Sequence, residues 1–424
     1  MSDSVIFITT IAVCATLALF AVLQAAFATG LIVRLRSPAT PLPTDAACPP
    51  AAIVLCLRGA DPFLARTLDA ILDQDYPNYL VRIVVDRPDD PVWPLVRAAG
   101  ERLRGEGVDW LADSLIERRT TCGLKCASLI QAYDSLPATI QVVALLDADT
   151  IPHRTWLREL VGALGPDDVG AATGQRWYMP GDPTTAALVR YLWNVAAVVQ
   201  MFGWRIAWGG SLALKRTVIE RARLNERWGE ALCEDTMLRA QLAPLGLRTA
   251  FVPTLMMVNR ESCDLGGFFR WVRRQLLVAR LYHPAWLLVL LHGLSTSLTL
   301  AAGTVGAVVA WFTGKEFAAA ALAGGVIGYQ LTMALFLGLL ESSVRRVVRR
   351  RGEPAEWLTG AGAVRAVGAI PLTQLIYSAA LCSAATLKQV DWRGIEYRID
   401  GPWRIRRLND SQAETTGDKG THSL

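Results

Sequence analysis

Asp147 and Asp149 stand one residue apart in "LLDADT", directly after the apolar run "VVALL". Residues two apart on an extended chain point the same way, so both carboxylates can converge on one object where the strand surfaces. Carboxylates held together repel and raise each other's pKa unless a cation sits between them. A hard divalent ion, Mg²⁺ or Mn²⁺, completed by phosphate oxygens suits such a pair, although an aspartate before a helix is also an ordinary cap. A second acidic pair, Glu234 and Asp235 in "ALCEDTMLRAQLAPLG", stands where a helical period begins, and complementing a helix dipole is the plainer role there. Just upstream, "AWGGSLALKR" (207–216) sets a glycine pair before an apolar strand, as where backbone must approach a ligand closely.

The elements that must position these groups alternate. "AAIVLCL" (51–57) reads as a buried strand, "DPFLARTLDAILDQDYP" as a helix capped by Asp61 with Pro62 in its first turn, and "YLVRIVVD" (79–86) as the next strand. A helix near 91–104, a helix in "GLKCASLIQAYDSL", the strand "TIQVVALLD" and a helix from "PHRTWLRELVGAL" follow. This βαβα order predicts an α/β domain, a mostly parallel sheet with helices on both faces and ligands beyond the carboxyl ends of the strands. Asp86 and the Asp147/Asp149 pair sit at two such ends.

At 424 residues and 52% hydrophobic, the chain exceeds one ordinary soluble domain. Residues 5–33, 284–313, 317–340 and 366–387 carry no charge, and the first three runs can cross about 30 Å of hydrocarbon. The first run is too long for a signal-peptide core and no basic region precedes it, so it is expected as an uncleaved anchor, 1–36. Arg34, Arg36 and "RRVVRRR" (345–351) put those ends in the cytoplasm, which makes 284–340 a hairpin and leaves a catalytic domain, 37–265, on the cytoplasmic side. Pro371, Thr373 and Gln374 interrupt the fourth run, and a full crossing would export the basic "KQVDWRGIEYRIDGPWRIRR". Within 341–408 it is therefore expected as a re-entrant or interfacial helix, with an ordinary crossing as the alternative. "GGFFRWVRRQLLVARLYHP" reads as an interfacial amphipathic helix, 266–283, with Arg273, Arg274 and Arg280 available for lipid or diphosphate charges. The polar tail, 409–424, is expected to be disordered.

The eight cysteines (14, 48, 56, 122, 126, 233, 263, 382) fall mostly on the inferred cytoplasmic side and read as free thiols. Cys122 and Cys126 lack a second Cys or His pair to complete a zinc site, and the histidines (153, 283, 292, 422) are scattered, so a metal must be held by oxygen. The net charge of +5 suits an anionic leaflet, and no nucleic-acid motif is present.

Asp86 in "VVDRPDDP", Lys125 in "GLKCASL", the "LLDADT" and "CEDT" segments, Arg270 and Trp271 in "FFRW" and the terminal "DWRGIEYRI" together resemble family 2 type inverting glycosyltransferases of the GT-A fold. The similarity is to the ceramide glucosyltransferase-like branch, including hopanoid-associated glycosyltransferases, over about residues 50–400 in order and spacing. The resemblance implies that Asp86, with Asp89 or Asp90, contacts the uracil or ribose of a UDP-sugar. Lys125 and Glu234 would line the nucleotide-sugar site, Asp147 would touch nucleotide and metal, and Asp149 would coordinate the cation. Asp235 would be the general base of a single displacement, giving inversion, with Arg270 and Trp271 bracing the diphosphate and the acceptor end. Gly267 departs from the Gln or Arg of the family pattern, with Gln275 further along as a substitute, and Arg87 replaces a second adjacent aspartate.

These readings imply an integral membrane enzyme of a bacterial inner membrane that moves one hexose or N-acetylhexosamine from a UDP-sugar to a lipid hydroxyl. Ceramide, a hopanoid, diacylglycerol or a polyprenyl phosphate are the acceptors considered. A processive polysaccharide synthase of the same family is one alternative, disfavoured because such enzymes usually carry more spans than the two that follow the catalytic domain. A non-catalytic nucleotide- or lipid-binding membrane protein is the remaining alternative, motivated by Gly267 and Arg87.

Overall fold

Strand β1 (Ala51–Leu57) is apolar throughout, so it must be covered on both faces. In the computed structural model, which describes residues 3–356, 358 and 360–410, its alternate side chains sort into two cores. Ala51, Ile53, Leu55 and Leu57 join one core with helices α2 (Leu64–Leu72), α3 (Trp93–Gly105) and α5 (Trp156–Ala163). Ala52 and Val54 join another with α4 (Leu124–Asp134), α7 (Arg216–Arg221), α8 (Leu224–Trp228), α9 (Leu238–Leu242) and α10 (Leu265–Tyr282). With β2 (Tyr79–Val85), β3 (Asp109–Ser114), β4 (Val142–Leu146), β5 (Val169–Tyr178), β6 (Ser211–Lys215) and β7 (Arg248–Asn259), β1 forms a sheet of order β3-β2-β1-β4-β6-β5-β7. It is mostly parallel; β6 alone runs antiparallel to both of its neighbours, β4 and β5.

A second, antiparallel sheet follows at the C-terminal end: β8 (Gln389–Trp392), β9 (Ile395–Gly401) and β10 (Arg404–Asp410). Its Val390, Ile395, Tyr397, Ile399 and Ile405 enter the α4/α10 core, and Tyr397 Oη accepts the Leu124 N–H at 3.0 Å. The "DWRGIEYRI" segment is thus part of the sheet unit, which comprises Pro38–Pro180, Trp204–Pro284 and Ala384–Leu424. The expected disordered tail is corrected at its start, because β10 runs through Asp410; 411–424 lie outside the described residues. The helix expected to be capped by Asp61 begins later, at Leu64; the Asp61 carboxylate instead accepts the Phe63 N–H at 3.0 Å.

The other unit comprises Met1–Ser37, Gly181–Gly203 and Ala285–Ser383. Helices α1 (Asp3–Arg36), α6 (Thr185–Trp204), α11 (Trp286–Phe312) and α12 (Glu316–Arg350) are each long and apolar enough to cross a membrane. Helix α6 was not anticipated, since Arg190 and Asn194 interrupt its apolar run. The fourth uncharged run folds as α13 (Gly360–Gly368) and α14 (Ile370–Thr386), a pair bent by 44° just before Pro371. Small residues let these helices approach. A Cβ on Gly293 of α11 would lie 2.4 Å from Leu381 Cδ1 of α14, and Gln374 Nε2 donates to Ser297 Oγ at 2.6 Å beside it. Gln24 Nε2 of α1 donates to Tyr329 Oη of α12 at 2.9 Å.

Within the sheet unit, Arg280 donates to the carbonyls of Ala384, Ala385 and Leu387 at 2.7, 2.9 and 2.6 Å. It is spent on a helix C-terminus rather than free for lipid or diphosphate, as the sequence pattern had suggested. Arg280→Met should cost about 2 kcal/mol through the orphaned carbonyls. A thermal midpoint in detergent equal to that of the unmodified chain would exclude this role.

Candidate active site

In β4, Val142, Ala144 and Leu146 face one core and Val143 and Leu145 the other, and the alternation carries past the strand end with Ala148 on the first side. Asp147 and Asp149 therefore share a face. Both reach one guanidinium: Arg176 Nη2 lies 3.5 Å from Asp147 Oδ2 and 3.2 Å from Asp149 Oδ2. The two carboxylates converge on a single cation, as their spacing requires, and so fit a bound cation in general. Among the described residues no cluster of three or more His, Cys, Asp or Glu has metal-binding geometry, so two protein carboxylates are what this site offers. Arg176 comes from β5, is braced by Tyr178 Oη at 3.0 Å, and lies over the Trp208 ring with its Cζ 5.0 Å from the centroid.

Lys125, in the first turn of α4, bridges the acidic pairs. Its Nζ is 2.6 Å from Asp147 Oδ1 and 2.5 Å from Glu234 Oε1. The approach needs Gly123, whose N–H donates to Ala231 O at 2.8 Å and whose Cβ, if present, would lie 2.1 Å from Leu232 O. Asp235 is half-buried; its Oδ2 accepts the Gly209 N–H at 2.7 Å and its Oδ1 the Thr236 hydroxyl at 3.0 Å. The Gly209–Gly210 pair separates the acidic groups by close contact. A Cβ on Gly209 would lie 2.0 Å from Glu234 Oε1, and one on Gly210 would lie 2.6 Å from Asp147 Oδ2. What these glycines admit is thus the site's own carboxylates and, at Gly210, the Trp208 ring.

The charge states follow from burial and partners. Burial opposes ionisation of Asp147, yet Lys125 and Arg176 beside it hold its carboxyl below the ordinary range. Asp149 is pushed up, because burial outweighs the help of Arg176. Glu234, buried and next to Asp235 and Asp147, is pushed up to about 7 despite Lys125. Burial works against the Lys125 ammonium as well, but its two carboxylates keep it protonated well above its ordinary range.

Of the other expected residues, Asp86 is buried between Arg58 and Arg118, both of which ion-pair with it. Asp90 is engaged by backbone, accepting Gly59 N–H at 3.0 Å and Val92 N–H at 3.0 Å, while Asp89 is exposed. Trp271 is buried and meets Tyr178 edge-on at 6.1 Å, so it packs behind the residue that braces Arg176. Arg270 is exposed in the first turns of α10, and no carboxylate among the described residues pairs with it. Gly267 donates its N–H to the capping Asp264 Oδ1 at 2.7 Å. Sequence reasoning missed Arg176, Arg58, Arg118 and Arg393 and the charge role of Asp61. An arginine inside the "GQRWY" strand was the available signal.

A mostly parallel sheet with one reversed strand, carrying carboxylates beyond its strand ends, has the architecture of the GT-A fold. The chain belongs to glycosyl transferase family 21, whose model matches residues 10–404, and it is a glycosyltransferase. Its fold is similar to that of the mannosyltransferase PcManGT from Pyrobaculum calidifontis, solved in complex with GDP-Man and Mn²⁺. The two share 20% identity with a TM-score of 0.52, over 90% of this chain and 97% of that one. Glucosyl-3-phosphoglycerate synthase from Mycobacterium tuberculosis, solved with Mn²⁺, UDP and glucosyl-3-phosphoglycerate, aligns at 16% identity and a TM-score of 0.38, over 57% of this chain and 85% of that one. No curated protein matches in sequence.

Glu234 makes stability depend on pH. Its folded pKa of about 7 exceeds the ordinary 4.5, so between these values the folded state keeps a proton that the unfolded state has released, and stability falls as pH rises. The thermal midpoint of the unmodified chain should fall across this window more than that of Glu234→Gln. Parallel profiles for the two proteins would refute the assignment.

Proposed function

We propose that this glycosyltransferase moves one hexose or N-acetylhexosamine from a UDP-sugar to a lipid hydroxyl at a membrane surface, with inversion. The observation that carries the reading is Asp235, a half-buried carboxylate steadied by Gly209 N–H and Thr236, with the Lys125–Asp147–Glu234 cluster across the glycine pair. Glu234 is buried against Lys125 and less available, so the proton acceptor is Asp235. One Asp235 oxygen takes the proton of the acceptor hydroxyl while the hydroxyl oxygen bonds to the anomeric carbon and the bond from that carbon to the UDP oxygen breaks, the electron pair leaving with UDP. Attack opposite the leaving group turns an α-linked donor into a β-glycoside. Asp147 and Asp149 would hold Mn²⁺ or Mg²⁺, which when bound offsets charge on the departing diphosphate. The mannosyltransferase neighbour, solved with GDP-Man and Mn²⁺, is compatible with this.

Chain parity supports a membrane-bound enzyme with the sheet unit on the cytoplasmic side. Arg34, Arg36 and the basic run 345–351 favour the cytoplasm. Strands β5 and β6 pair in one sheet, so the intervening α6 returns to the side it left and does not cross alone. Arg280 holds Ala384, Ala385 and Leu387, so the segment 285–383 also starts and ends on one side. Helices α11 and α12 already supply two crossings, and the bent α13–α14 pair is therefore re-entrant or interfacial. So few spans favour a single transfer to a lipid (ceramide-like, hopanoid or diacylglycerol) over export of a polymer.

Purified protein with UDP-sugars, Mn²⁺ and a lipid extract should release UDP in a lipid-dependent manner. Asp235→Asn should lose at least about a hundredfold in that rate while still binding UDP. Undiminished turnover in this variant would remove Asp235 as the base, and no lipid-dependent release with any donor would remove the lipid-transfer reading.

A further inference from the structure

The turn between β8 and β9 places an arginine among the site's charges. Trp392 pairs with Ile395, so Arg393 and Gly394 form a two-residue turn, and both have left-handed backbone with φ 51° and 75°. That conformation costs a residue with a Cβ roughly 1 kcal/mol or more, so the side chain at 393 is held at some expense. The turn docks reciprocally: Arg393 Nη1 donates to Arg58 O at 3.3 Å, and Arg58 Nε donates to Arg393 O at 3.0 Å. Arg393 Nη2 stands 3.4 Å from Asp61 Oδ2, a long contact to a carboxylate that also accepts the Phe63 N–H.

Beside the turn, Arg274 of α10 lies over the Trp392 ring, with its Cζ 4.6 Å from the centroid. It is 8% exposed, and among the described residues no carboxylate pairs with it. A buried guanidinium without a counter-ion is costly. Burial together with Arg393 and Arg176 pulls its pKa down to about 10, which marks the three guanidinium groups as near enough to repel one another. Arg176 is already shared by Asp147 and Asp149, and Arg393 has one long contact to Asp61, which leaves Arg274 without a counter-ion among the described residues and Arg393 only partly compensated for an anion that arrives from outside.

We propose that Arg393 on the β8–β9 turn and Arg274 on α10 form an anion subsite that takes the terminal phosphate of the donor's diphosphate, so that the C-terminal sheet completes the donor site. This rests on the nucleotide-diphosphate reading above. Guanidinium groups suit a phosphate with several acceptor oxygens, and two of them beside an acidic pair distinguish a diphosphate from a monophosphate.

The test is binding of UDP, UMP and inorganic pyrophosphate to the full-length protein by calorimetry. The unmodified chain should prefer UDP to UMP by at least about tenfold, and Arg393→Gln or Arg274→Gln should erase most of that preference, weaken pyrophosphate similarly and leave UMP within about twofold. Arg393→Gly removes the cation while relaxing the left-handed turn, which offsets part of the loss of its contacts to Asp61 and Arg58, and it should show the same loss of preference; Arg393→Lys should recover part of it. An unchanged UDP-to-UMP ratio in Arg393→Gly and Arg274→Gln overturns the subsite and leaves the donor reading intact. Pyrophosphate binding that is lost in both variants, with no UDP binding by the unmodified chain, supports the subsite and overturns the UDP reading.

Discussion

The site depends on one half-buried ammonium. Lys125 Nζ, within 2.6 Å of Asp147 and 2.5 Å of Glu234, joins three segments far apart in the chain: the start of α4, the end of β4 and the loop before α9. Buried Glu234 and half-buried Asp147 would repel without a cation between them. The charge therefore fixes the register of segments that hydrophobic packing alone would let slide. The same device recurs further out, where Arg176 spans Asp147 and Asp149, Arg58 and Arg118 close on Asp86, and Arg393 reaches Asp61. Opposite charges alternate through the site, and Arg274 is the member with no carboxylate among the described residues.

Such density needs backbone that can be approached. Gly123 lets α4 begin against the carbonyl of Leu232, and Gly209–Gly210 lets Glu234 and Asp147 come in from either side of a tight turn into β6. The reversed direction of β6 matters here, because it brings that turn to the carboxyl end of its antiparallel neighbour β4, where Asp147 emerges. A parallel strand would have left the glycine pair at the opposite edge of the sheet.

How far the sequence could be read follows from the same physics. Strands β1 and β4 are continuous apolar runs, β2 is interrupted only by Arg82, and the helices between them carry a period, so their order and the strand-end carboxylates were legible. Strand β3 lies at an edge and is only partly buried, and its "DWLADS" reads as polar. Strands β5 and β7 carry Gln175, Arg176 and Pro253, and the pairing between them is irregular near Gln175 and Met256. Strands β8 to β10 alternate charged and apolar residues over short lengths, a pattern that is a strand only when the α4/α10 core receives its apolar half. The arginines escaped for a related reason. A carboxylate at a strand end declares itself locally, whereas the place of Arg176 or Arg393 depends on which strands pair and where a turn docks. Asp61 was read as a cap, and only the arrival of Arg393 gives it a second role.

Asp147 and Asp149, so alike in sequence, are electrostatically unequal. Burial opposes charge on both, and both share Arg176, but Lys125 pairs with Asp147 alone. One carboxyl is held below its ordinary range and the other is pushed above it. Added positive charge gains little at a carboxylate already paired twice and more at one whose burial is under-compensated. Asp149, neighboured also by the charge of Asp61, is the position where a further cation stabilises the site most. The one-residue spacing thus does more than aim two carboxylates at one object: it places a fully compensated group beside a needy one, and the difference is set by the reach of a lysine from another helix.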